Sequence, residues 1–163
     1  TDTTQTDILG IVGERYVPLQ NEDLFSFGDN ILDGGGRWET AGSIKWLGYR
    51  TDVPELLATS NIICLPSYRE GLPKTLIEAC AAQRAIVATD VTGCREVVAH
   101  ESNGLLAPVR NPQKLAEAIS QLLGDPVQRT AFAKNGRVRA ETEFSSPIVI
   151  EQTLAVYKKV LSN

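Results

Sequence analysis

The sequence predicts one three-layer α/β domain: a parallel sheet of about five strands, helices on both of its faces, and three consecutive helices at the end. Two patterns point there. From Ile8 onward, short apolar runs end at Gly, Pro or Ser, and each is followed by a stretch with helical spacing, as in successive βα units. The runs are rich in Ile, Val and Leu and do not alternate with polar residues, which is how strands buried on both faces read.

Taken in order, the candidate strands are Ile8 to Val12, Ile44 to Leu47, Asn61 to Leu65, Ala85 to Thr89 and Leu105 to Ala107. Between Gly13 and Ser43 no periodicity holds, and Gly34-Gly35-Gly36 falls inside, so a long functional or mobile loop is expected there, with room for a helical turn near Trp38. After the last strand the helix starts are sharply marked. Asn111-Pro112, Asp125-Pro126 and Ser146-Pro147 each put a capping side chain before a proline, which suits a first helical position because its missing N–H would be unpaired there anyway. They predict helices over roughly 112–123, 126–142 and 147–161, packed on the sheet and closing the domain.

The chain has 163 residues, 42% of them hydrophobic, enough for one core and too few for two domains. Its net charge of -4 gives no overall positive field to gather nucleic acid. The longest apolar runs are far shorter than a bilayer span, so the chain reads as soluble. Three cysteines, Cys64, Cys80 and Cys94, lack the paired spacing of a metal site and are expected to be buried or half-buried free thiols. There is no methionine, even at position 1, and the expectation is a processed chain or a fragment of a longer protein.

Chemistry concentrates in Pro66-Ser67-Tyr68-Arg69-Glu70-Gly71-Leu72-Pro73-Lys74-Thr75-Leu76-Ile77-Glu78, which leaves a buried strand, turns at Gly71 and enters a helix near Pro73. At the carboxyl end of a parallel strand, unpaired first-turn N–H groups and the helix dipole favour an anion such as phosphate. Glu70 and Glu78 bracket the turn. Ionised carboxylates only accept hydrogen bonds, so they suit sugar hydroxyls and repel phosphate. A sugar nucleotide fits that division. An acidic loop residue beside a solvated helix glutamate is the other reading, and spacing alone leaves both open.

From Leu47 to Pro108 the chain resembles the carboxyl-terminal, donor-binding domain of group 1 (family 4 type) glycosyltransferases, retaining enzymes of the GT-B architecture with two Rossmann-like domains. The resemblance is carried by Leu47-Gly48-Tyr49-Arg50-Thr51-Asp52-Val53, the run ending at Glu70, the paired glutamates, Ala88-Thr89-Asp90, Gly93-Cys94-Arg95-Glu96 and Asn103-Gly104-Leu105-Leu106, agreeing in order and spacing. It implies that Glu70 contacts the transferred sugar in the catalytic site and that Glu78 holds the nucleotide ribose. It also implies that the backbone of Gly71, Leu72 and Pro73 lies against the donor, that Gly13 lines the same cleft, and that the main chain at Tyr49 and Arg50 meets the base. Lys74 either approaches the pyrophosphate or pairs with Glu78 one turn on, the pair being slightly favoured. Arg95 and Glu96 either order the neighbouring loop or form a solvated ion pair, and His100 is expected at the surface.

The same resemblance implies a UDP- or GDP-sugar as donor substrate, no metal and no separate cofactor. The acceptor, a glycan or lipid-linked sugar, would be bound by an amino-terminal domain. Residues 1–163 are read as one nucleotide-sugar-binding domain lacking that domain and its own first βα unit. With the arginine and lysine of that unit absent, the chain alone is expected to show negligible transfer, and an unpaired sheet edge to favour self-association. Polysaccharide biosynthesis in the cytoplasm, with peripheral contact at the inner membrane face, follows by analogy. A stand-alone sugar-nucleotide-binding module and an epimerase-like protein are the alternatives; a phosphorylase would need motifs absent from the chain.

Overall fold

The computed structural model describes residues 9–11, 47 and 49–162. Four described strands, β1 (Leu9–Ile11), β2 (Ile62–Leu65), β3 (Ala85–Thr89) and β4 (Gly104–Ala107), form one parallel sheet in the order β1-β2-β3-β4. The expected strand from Ile44 to Leu47 falls largely outside the described residues, as does the long loop from Gly13 to Ser43. Leu47 itself is described and is not in a strand.

The helices are α1 (Val53–Thr59), α2 (Lys74–Ala81), α3 (Thr92–Val97), α4 (Pro112–Gly124), α5 (Pro126–Glu143) and α6 (Ser146–Leu161). Every residue of β2 and β3 is buried, so the unbroken apolar runs do mark two-sided burial. Side chains of a strand alternate between its faces, and two cores result. Ile63, Leu65, Ile86 and Ala88 pack with Leu76, Ala79 and Cys80 of α2 and Cys94 and Val97 of α3. On the opposite face Ile62, Cys64, Ala85 and Val87 meet Leu115, Ile119 and Leu122 of α4 and Phe132 of α5.

The prolines place the late helices well. Asn111 Oδ1 accepts from Lys114 N at 3.0 Å, and Asp125 Oδ1 accepts from Gln128 N at 2.9 Å. The third start differs from expectation: Ser145 is the N-cap of α6, its side chain makes no capping bond, and Ser146 is already helical. Nor does α6 close the domain, for none of its residues is buried, and Ile150, Leu154, Tyr157 and Leu161 lie exposed along it. No helix among the described residues is long and apolar enough to cross a membrane.

Candidate functional site

The connections that leave the carboxyl ends of β2, β3 and β4 meet at one edge of the sheet. After β4, Arg110 stacks over the ring of Tyr68, 5.8 Å from its centroid. After β3, Asp90 N donates to Ala107 O at 2.7 Å, and Thr89 Oγ1 donates to Ser67 O in the β2 connection. Between them lies an open hollow of about 450 Å³ lined by Tyr68, Arg69, Glu70, Asp90, Val91, Thr92 and Arg95.

Glu70 is half-buried on this edge, and its Oε1 accepts from the Ser67 hydroxyl at 2.6 Å. The chain then runs through exposed Gly71 and Leu72 to buried Pro73, the N-cap of α2. The amide of Leu76 is already taken by Pro73 O at 3.0 Å. Those of Lys74 and Thr75 have no acceptor among the described residues, no side chain caps the helix, and its first turn contains no acid. An unpaired, positively polarised helix tip therefore lies within a few residues of a fixed carboxylate.

Glu78 is exposed on α2 and does not line the hollow beside Glu70. Lys74 is also exposed, and the expected Lys74–Glu78 ion pair is not among the pairs formed by the described residues. Both side chains reach solvent, where pairing would gain little over hydration. Tyr49 is 93% exposed. Arg50 Nε donates to Asp52 Oδ1 at 2.7 Å, and this bond holds the Asp52 carboxyl below its ordinary range and raises Arg50. Gly13 lies outside the described residues.

Arg95 does form an ion pair, with Asp90 at 2.6 Å, and that bond lowers the Asp90 pKa. The two side chains are 57% and 43% exposed, so this is a solvated pair, and it borders the hollow. Glu96 contributes its carbonyl, which accepts from Arg139 Nη2 at 3.0 Å. His100 is exposed, and its Nδ1 accepts from Leu106 N at 3.0 Å. Cys64, Cys80 and Cys94 are buried free thiols. Among the described residues, no three His, Cys, Asp or Glu side chains gather as metal ligands would.

At Gly71 a Cβ would meet nothing within 4 Å, so the space beside this turn is open. Gly93 is the tight glycine of this site: a Cβ there would lie 2.5 Å from Glu70 O and closer still to Gly71 O. Sequence reasoning named neither Gly93 nor Ser67, Thr89, Asp90 and Arg110 as site residues. Their signal was positional, since all lie at or just beyond the carboxyl ends of the buried strands.

These features define an open parallel α/β sheet with a hollow among the connections at its strands' carboxyl ends. Residues 38–139 match the model of the glycosyl transferases group 1 family, and the chain belongs to that family. It is 38% identical over 123 residues to the N,N'-diacetylbacillosaminyl-diphospho-undecaprenol alpha-1,3-N-acetylgalactosaminyltransferase of Campylobacter jejuni, covering 76% of this chain and 32% of that protein. Among solved structures, HepE of Anabaena in complex with UDP is 27% identical, with a TM-score of 0.68 over 71% of this chain and 32% of that one. A TarM variant of S. aureus, 22% identical, shares the fold at a TM-score of 0.76 over 92% of this chain and 35% of that one. The chain spans about a third or less of the length of the curated relatives it matches.

Proposed function

We propose that this chain is the donor-binding part of a retaining glycosyltransferase that moves a sugar from a nucleotide sugar to an acceptor hydroxyl in polysaccharide or glycoconjugate synthesis. The observation that carries the reading is the uncapped, acid-free first turn of α2 next to Glu70, in a chain of this family. In this reading the Lys74 and Thr75 amides take a donor phosphate oxygen, Glu70 faces the transferred sugar, and Glu78 accepts from ribose hydroxyls. The backbone from Gly71 to Pro73 lies along the donor; Lys74 approaches the pyrophosphate, and Tyr49, Arg50 and Gly13 border the base and the cleft.

The bond from the anomeric carbon to the diphosphate oxygen breaks, one to the acceptor oxygen forms with configuration kept, and the acceptor's hydroxyl proton passes to the departing diphosphate. Charge gathers on the departing phosphate, where preoriented N–H groups stabilise it, so the reading invokes no metal. The acceptor is held outside this 163-residue unit, as the length of the relatives supports. The name of the C. jejuni relative contains a diphospho-undecaprenol-linked sugar, which supports a lipid-linked acceptor.

Calorimetric titration of the chain with UDP-glucose, UDP-N-acetylglucosamine and GDP-mannose tests the reading. One of them is expected to bind, and Glu78→Ala to weaken it about tenfold, the worth of a hydrogen bond to a charged group. Unchanged affinity in Glu78→Ala removes the ribose role. Binding of none of the three removes the donor cleft itself.

A further inference from the structure

We propose that Ser67 and Gly93 are positioning residues that fix Glu70 from two sides; this rests on the reading that Glu70 faces the transferred sugar. A glutamate on an exposed turn has many rotamers, and a ligand that needs one of them bears the entropy of selecting it. Here the selection is already made. The Ser67 hydroxyl donates to Glu70 Oε1 at 2.6 Å, so one carboxylate oxygen is held and the group is oriented. Ser67 is held in turn, because its carbonyl accepts from Thr89, which is 4% exposed at the end of β3. A chain of hydrogen bonds thus runs from the sheet core to the Glu70 carboxylate.

The second restraint is steric. Gly93, buried in the first turn of α3, lies directly against the peptide that joins Glu70 to Gly71; its missing side chain would fall 2.5 Å from Glu70 O and 2.6 Å from Glu70 C. Space and not backbone conformation demands glycine here, since Gly93 has no positive φ. α3 cannot simply retreat, because the neighbouring Cys94 and Val97 are fully buried in the core. Any larger residue at 93 therefore displaces the Glu70 peptide, and the carboxylate moves with it.

The readout is the sugar increment: the affinity for whichever of UDP-glucose, UDP-N-acetylglucosamine and GDP-mannose binds most tightly, relative to that for its own nucleoside diphosphate. Ser67→Ala is expected to lower the increment about tenfold, as Glu70→Gln does, with nucleoside diphosphate affinity and urea midpoint unchanged. Ser67→Thr, which keeps the hydroxyl, is expected to restore most of it. Ser67→Ala added to Glu70→Gln should change nothing further, because the two act through one group. Gly93→Ala should move the increment in the same direction. Additive losses from Ser67→Ala and Glu70→Gln, or a parallel fall in nucleoside diphosphate affinity, would overturn the positioning role while leaving the donor reading intact. An increment untouched by Glu70→Gln would instead sink the reading of Glu70, and this inference with it.

Discussion

The side-chain amide nitrogen of Asn103 lies 3.5 Å from Cys80 Sγ, joining the connection between α3 and β4 to the back of α2. The same nitrogen donates to Val97 O at 3.0 Å, and Asn103 Oδ1 accepts from Ala99 N at 2.7 Å. One side chain, 1% exposed, therefore satisfies two backbone groups at the end of α3 and the start of the turn that follows. Asn103→Leu keeps the volume and strands both partners, so urea denaturation should show a loss of about 2–4 kcal/mol. A loss under 1 kcal/mol would mean that water or a shifted backbone takes over those bonds.

Two glycines should respond with opposite sign. At Gly104, the first residue of β4, a Cβ would lie 2.6 Å from Ile86 O on the neighbouring strand, and Gly104→Ala should cost about 1–3 kcal/mol. At Gly136, inside α5, the nearest atom is Cys80 Sγ at 3.4 Å, an ordinary contact. Gly136→Ala should stabilise by up to about 1 kcal/mol through helix propensity alone. Urea midpoints of the two variants, measured together, check the contrast.

The sheet was legible because an apolar run without polar alternation has few solutions other than a strand covered on both faces, and β2 and β3 are that case. The helix ends at Asn111 and Asp125 were legible because cap and proline act locally. Ser146 misled by one position, since Ser145 is an equally good candidate and only the backbone decides. That α6 leaves Ile150, Leu154 and Tyr157 exposed could not be read from its pattern, because periodicity reports an apolar face and not what covers it. Glu70 and the α2 tip were visible in the run through Gly71, whereas the fit of Gly93 against the Glu70 peptide joins segments that only the β2–β3 pairing brings together.

Burial holds the three thiols protonated: Cys64 and Cys94 are pushed up to about 12 and Cys80 to about 11, from an ordinary value of 9.0. Their folded pKa values lie above the unfolded one. The stability each contributes is therefore complete below pH 9 and is lost as pH rises toward 11–12, because only the unfolded chain releases the protons early. The urea midpoint should fall from pH 8 to pH 10, and less steeply in Cys64→Ala. A thiol-reactive chromogen at pH 8 should leave the native chain essentially unmodified and label all three cysteines in denaturant.

The first turn of α2 sets stability against binding. Thr75 is its second residue, in a turn with no acid and no side-chain cap. An aspartate there would meet the positive end of the helix dipole and raise stability by about 0.3–1 kcal/mol. The same charge would stand where a donor phosphate has to sit, so nucleotide affinity should fall by about tenfold or more, and less at high ionic strength, where the repulsion is screened. Thr75→Asn, neutral and of similar size, separates charge from shape: it should leave nucleotide affinity close to that of the parent. A Thr75→Asp chain that is more stable yet binds nucleoside diphosphate as well as the parent would show that the phosphate is seated elsewhere, because no anion occupies a helix tip already neutralised by a carboxylate without losing affinity.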